Sequence, residues 1–289
     1  MVALGWERST PPHGAAMARL AAVAAVTAAW FALVWRVPEV GATFNTVGVV
    51  RVAIHVVTLW GLWLGLGLSG VSPEVRVRVW FAIAIPLTLW LAAIWVLAVD
   101  GIFRPRPPVD GRPPLPLLPI AILLPPIIAT VLLWRSKRVT AVLDAMPATW
   151  LVGLQAYRVF GGFFLINYVR GLIPGEFALP AGIGDVAVGL LALPAAAYVA
   201  TGTSLGRRIG IAWNVLGLLD FVSAISTGFM TSPGPFQLLA FDHPNTLVGT
   251  FPTVMIPAFA VPSSIVLHIL SIRQLVRLGR QSAAAPSSR

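Results

Sequence analysis

Apolar residues arrive in eight long runs, at roughly 17–36, 46–68, 77–99, 115–135, 150–170, 181–201, 209–228 and 253–275. The short intervals between them are where arginine, glycine and proline collect. Each run supplies the ~20 apolar residues that cross a hydrocarbon core of about 30 Å as a helix. The pattern predicts an all-α fold, a polytopic integral membrane helical bundle of about eight transmembrane helices. Residues 1–289 then form a single transmembrane bundle, because the polar intervals are too short to fold as an aqueous domain.

Arg8 and Arg19 before the Ala/Val-rich first run also fit a signal peptide, with Val40-Gly41-Ala42 as a weak cleavage site. The length of the run and its Trp30, Trp35 and Arg36 favour a retained helix; cleavage would leave seven spans. Proline falls inside several runs: Pro86 in the third, Pro119, Pro125 and Pro126 in the fourth, Pro257 and Pro262 in the eighth. Each removes a backbone donor. Pro125-Pro126 is the best candidate for a broken helix lining a cavity, against the plainer reading of ordinary membrane-helix proline. No repeat relates the first four runs to the last four, which weakens but does not remove a transporter reading.

Composition changes this picture in two ways. The chain is 57% hydrophobic, 10% charged and free of cysteine, so it has no disulfide framework and no thiolate site. Its net charge of +10 would suggest nucleic acid on a soluble protein. Here it reads as arginine at helix ends facing anionic membrane lipid, with no nucleic-acid partner. Thirteen basic residues (Arg8, Arg19, Arg76, Arg78, Arg135, Lys137, Arg138, Arg207, Arg208, Arg273, Arg277, Arg280, Arg289) fall on one side and five (Arg36, Arg104, Arg106, Arg112, Arg170) on the other. The positive-inside rule then puts both termini in the cytoplasm, in a bacterial-type plasma membrane (cell inner membrane).

The remaining two arginines, Arg51 and Arg158, lie within runs, as do Asp185 and Asp220. A charge near mid-bilayer costs ~2.5–3.5 kcal/mol on insertion scales, so such residues face inward and pair. At 1.5 Å per residue, Arg51 and Asp185 both lie about 6–8 Å below the outer boundary. Arg158 and Asp220 lie about 12 and 16 Å above the inner one, a gap that an arginine stem closes. Depth therefore predicts two pairs, Arg51 with Asp185 and Arg158 with Asp220. Arg51, His55 and Thr58 share a helix face, as do Gln155 and Arg158, and Asp220, Ser223 and Thr227. Gly182 and Gly189 flank Asp185 on its own face and admit a close neighbour. The first, third and fourth runs read as scaffold, and a functional centre belongs among the second, fifth, sixth and seventh.

Residues 236–252 are too apolar for a free loop and too short to span. They read as a re-entrant or an interfacial segment over the bundle mouth, with Asp242-His243-Pro244-Asn245 at its turn. Folded inward, Asp242 and His243 would meet Arg51, His55 and Asp185. His55, His243, Asp242 and Asp185 are metal ligands by type, but no ligand spacing supports a site, so no metal is assigned. Haem is disfavoured because His55 and His268 lie about 14 and 22 Å below the outer face. No cofactor is expected, and His268 reads as a packing histidine. Phosphate-loop, nucleotide-binding and serine-hydrolase motifs are absent from the sequence.

Three functions compete. Asp185 and Asp220 as protonatable groups suggest a carrier for a small solute or proton. Arginine beside a desolvated carboxylate also suits an intramembrane enzyme acting on a lipid-soluble substrate. The third is a membrane scaffold or subunit whose ion pairs only specify packing. The candidate binding residues common to the first two are Arg51, His55, Arg158, Asp185, Asp220, Asp242 and His243. The sequence leaves open whether the protein is an enzyme.

Overall fold

The computed structural model describes residues 13–36, 44–68, 70–106 and 115–284. The weak cleavage site at 40–42 and three arginines of the orientation count, Arg8, Arg112 and Arg289, lie outside them. The described residues are helices joined by turns, without strands: α1 (His13–Arg36), α2 (Phe44–Leu68), α3 (Pro73–Val99), α4 (Leu117–Arg135), α5 (Lys137–Ala145), α6 (Thr149–Gly153), a 3₁₀ segment (Leu154–Gly162), α7 (Phe163–Val169), α8 (Gly175–Val199), α9 (Ser204–Thr231), a 3₁₀ turn (Leu247–Gly249), a π-helical turn (Ile256–Ala260) and α10 (Val261–Ala284). Among them, eight stretches are long and apolar enough to cross a membrane, at Ala16–Arg36, Arg51–Leu68, Pro73–Val99, Leu117–Arg135, Thr149–Val169, Gly175–Val199, Ser204–Thr231 and Ile256–Ser282. The all-α reading and its eight runs hold.

Differences at the ends have local causes. Thr203 caps α9, its Oγ1 accepting from Gly206 N at 3.0 Å, so the helix starts before Arg207 and Arg208. Pro180 lies inside α8, which begins at Gly175 with Glu176 in its first turn. The helix α5 was not expected: Ser136 caps it by accepting from Val139 N, and Val142 and Leu143 are its buried side. Its contacts hold it against α10, through Arg277 to Asp144 at 3.0 Å and Gln274 Nε2 to Met146 O at 2.7 Å. Pro125 and Pro126 do not break α4, which runs through both. Irregular backbone occurs instead in the fifth crossing, as 3₁₀ helix, and at the start of the eighth, as a π-turn containing Pro257.

Of the four apolar clusters among the described residues, two lie on either side of Asp185 along α8. One lies toward the end that carries the connection between α9 and α10, hereafter the loop end. It gathers Ile94, Phe163, Phe164, Phe177, Met255 and Phe259. The other lies toward the end that carries α5 and the C-terminal turns of α10, and gathers Val152, Val188, Ala192, Trp213 and Leu275. On α8 the first cluster ends at Ala181 and the second begins at Val188, leaving Asp185 between them. The same interval on the other three packed elements holds Arg158, Asp220 and His268. A polar layer thus sits between two greasy ones, which removes it from water and obliges its members to satisfy one another.

Candidate functional site

The 3₁₀ segment sets the geometry. With three residues per turn, positions three apart eclipse one another. Gln155, Arg158 and Gly161 therefore line one side, and all are buried. Arg158 Nε donates to Asp185 Oδ1 at 2.8 Å, and Nη2 lies 2.8 Å from the same oxygen. Nη2 also donates to Asp220 Oδ2. Nη1 reaches Gly217 O at 3.3 Å and His268 Nε2 at 3.1 Å. The guanidinium carbon stands 3.9 Å from the centroid of the Phe221 ring. Every nitrogen of this cation has a partner, and its flat face has an aromatic one.

The layer continues beyond the arginine. An arginine offers only donors, so His268 Nε2 must be the acceptor in that contact. His268 Nδ1–H then donates to Asn214 Oδ1 at 2.9 Å, which makes the imidazole neutral and fixes its tautomer. Asn214 Nδ2 in turn donates to Gly210 O at 2.7 Å and Ser271 Oγ at 3.0 Å. On the other side, Gln155 Nε2 donates to Ser264 O at 3.0 Å, and the Tyr157 hydroxyl pairs with Ser264 Oγ. Ser264, His268 and Ser271 are buried at helical spacing along α10. That stripe was legible in the sequence as polar positions four and then three apart, but their small side chains were not read as a face.

Glycines make room for the carboxylates. A Cβ on Gly184 would collide with the Asp220 carboxylate, one on Gly161 with that of Asp185, and one on Gly217 with the His268 ring. Gly182 and Gly189 sit on Asp185's face as expected: a Cβ would lie 2.6 Å from Leu165 Cγ and 2.5 Å from Val159 N, respectively.

Of the expected pairs, Arg158 with Asp220 is present. Arg51 with Asp185 is not: Asp185 pairs with Arg158. The depth count began the sixth run at 181, whereas α8 begins at Gly175. Asp185 therefore lies about 15 Å below that end rather than about 6–8 Å, at the level of Arg158; the 3₁₀ winding adds only about 2 Å. Arg51 is 6% exposed and stands 5.9 Å from the Tyr157 ring centroid, without an ion pair among the described residues. His55 bonds to Thr88 Oγ1 at 2.9 Å on α3 and packs edge-on to Phe259, outside the polar layer.

Asp242 and His243 do not fold inward; both are exposed. The segment 236–252 is a looped cap rather than a helical hairpin. Leu238 N and Leu239 N both donate to Met230 O at 2.8 Å, and Asn245 N donates to Thr231 O at 2.9 Å. Val248, Leu247 and Phe251 take the inward positions in the loop-end cluster, which leaves the polar turn outside. Among the described residues no three His, Asp or Glu side chains gather as a metal cage would require.

A cavity of about 50 Å³ reaches the layer, lined by Asp185 and Phe221 at its depth and by Ser232, Val248 and Pro257 toward the loop end. The Asp185 side chain keeps 14% of its surface exposed and that of Asp220 keeps 7%. Asp185 Oδ2 and Asp220 Oδ1 accept no hydrogen bond among the described residues.

The family defined as the domain of unknown function DUF8737 matches residues 115–276, more than half of the chain and all of the polar layer. The chain belongs to this family. No curated protein and no solved structure matches it.

Proposed function

We propose that this DUF8737 protein is a membrane carrier for protons, with Asp185 and Asp220 as the groups that take one up. The observation that carries the reading is the charge count in the polar layer. Two carboxylates bond to one guanidinium and His268 is neutral; Arg51, the next cation, acts on Asp185 from a distance, without a hydrogen bond to it. Two carboxylates that share one bonded cation in a bundle interior are costly to keep ionised, and binding a proton relieves that cost. Each carboxylate presents an oxygen that Arg158 leaves free.

Size selects the proton over a larger solute. A water needs about 10–15 Å³ of such cavity space, so 50 Å³ admits a few waters beside Asp185. That is enough to deliver a proton from the loop end and too little for an organic substrate. By the arginine count we place both termini on the cytoplasmic side of a bacterial-type inner membrane, so delivery is from outside. Reporter fusions at residue 108 and after residue 280 should report opposite sides.

The carrier reading is tested with the full chain in liposomes containing a pH indicator, driven by a potassium diffusion potential. Proton entry is expected for the wild type and for His243→Ala, whose side chain is on the exposed turn. Loss of at least about tenfold is expected for Asp185→Asn or Asp220→Asn, since only an ionisable side chain exchanges the proton. No proton movement by the wild type, or full movement by Asp185→Asn, overturns the reading.

A further inference from the structure

Away from the polar layer, α2 and the fifth crossing stand apart and leave a groove of about 570 Å³. Ala53, Val57 and Thr58 line one wall, and Trp150, Ala156 and Tyr157 the other. We propose that this groove binds an acyl chain ending in an oxygen acceptor, a carboxylate or an ester carbonyl, held by Arg51.

Three observations lead there. The volume falls within the ~300–1,000 Å³ of small-molecule sites, far above the space beside Asp185. The walls are apolar apart from two threonines and Tyr157, and they belong to helices that cross the membrane. A site with that lining takes its contents from the bilayer. The third observation supplies the polar end. Arg51 is 6% exposed, forms no ion pair among the described residues, and its Nε has no hydrogen-bond partner. It stands over the ring of Tyr157, which lines the groove, and Ile54, one turn along α2, lines it too. A buried, always-charged donor with an unused N–H is costly unless something accepts from it. An acyl chain whose oxygen ends at Arg51 satisfies that donor and fills the apolar space with one molecule. Asp185 is near enough for its charge to act on Arg51, but it bonds to Arg158 and leaves Arg51 Nε without a partner among the described residues. The inference stands independently of the proton reading.

The chemistry has two sources, a free fatty acid or the acyl ester of a phospholipid, and the test separates them. The full chain in nanodiscs is irradiated with a diazirine-bearing fatty acid in one arm and a diazirine-bearing phosphatidylglycerol in the other. Labelled residues are then mapped by mass spectrometry. Labels are expected within 53–58 and 149–160. Competition by unlabelled fatty acid assigns the free acid, and labelling only in the lipid arm assigns the ester. Val57→Phe and Ala53→Phe, both at exposed positions, fill the groove and should cut labelling there while thermal stability is kept. Arg51→Gln should weaken it by about tenfold, the worth of a charge-assisted hydrogen bond. Asp220→Asn, whose carboxylate does not act on Arg51, should leave it unchanged, which keeps this outcome distinct from that of the proton assay. Labelling scattered over all eight crossings, or labelling in the groove unaffected by both phenylalanine variants, overturns the proposal.

Discussion

The first three crossings and the fifth and eighth meet their surroundings in opposite ways. In the first crossing 17% of the residues are buried within the protein, and in the third 22%; in the fifth the share is 56% and in the eighth 67%. Leu89, on α3, is 64% exposed, and Trp60, on α2, 62%. In a bilayer that exposure is no defect, because lipid tails are as apolar as leucine and an apolar helix face needs no protein partner. What lipid does not provide is a partner for a charge. The charged residues at depth therefore concentrate where helices cover one another, and burial follows chemistry more than hydrophobicity. Arg51 and His55 lie in the front region but turn inward, toward Tyr157 of the fifth crossing and Thr88 of α3.

The largest test of this contrast is Arg158→Met. It leaves two buried carboxylates without their cation and should destabilise by ~3–5 kcal/mol, measured by unfolding in detergent. Adding Asp185→Leu and Asp220→Leu to the same chain should recover most of that loss, since apolar replacement of a whole buried ionic group is often neutral. If the single variant is silent, the layer contributes nothing that the front helices lack.

Next in size is His268→Ala. It strands an N–H of Arg158 and the Asn214 oxygen together, for a loss of about 1–3 kcal/mol by the same measurement. Sequence reasoning set this histidine aside as a packing residue, and its partners explain why. Neither Asn214 nor Ser271 is charged, so neither stood out as a partner, and Arg158 was matched by depth to Asp220 alone.

Gly184→Ala compared with Gly14→Ala sharpens the comparison at a single methyl group. On Gly184 the methyl meets the Asp220 carboxylate and should cost about 1–3 kcal/mol by overpacking. On Gly14, in α1, nothing lies within 4 Å, and the variant should be neutral or slightly stabilising. The smallest effect is expected from Leu89→Ala on α3, within about 0.5 kcal/mol of wild type, as for exposed positions elsewhere. A large loss there would mean that α3 is covered by a partner.

The eight crossings were legible because hydrocarbon thickness imposes a length that hydropathy records directly. Arg158 with Asp220 was legible because a buried charge demands its opposite. The sharing of one arginine between two aspartates was not, since depth was counted from 181 and hydropathy does not show that α8 begins at Gly175, ahead of Pro180. The cap at 236–252 was misjudged for a related reason. Its apolar residues were seen, but which of them point inward depends on Asn245 bonding back to Thr231. The short helix α5 was missed because Lys137 and Arg138 read as a basic turn.

The nine-residue 3₁₀ segment has one further effect, on length. At about 2.0 Å per residue it covers about 18 Å, where an α-helix of the same residues would cover about 13–14 Å. The fifth crossing thereby gains roughly a whole α-turn of reach from a stretch with poorer backbone hydrogen bonds. Residues 149–169 traverse the bilayer with fewer residues than α8 or α9 spend on the same journey. The stretch of chain that carries the cation thus covers more of the membrane per residue than either helix that carries an aspartate.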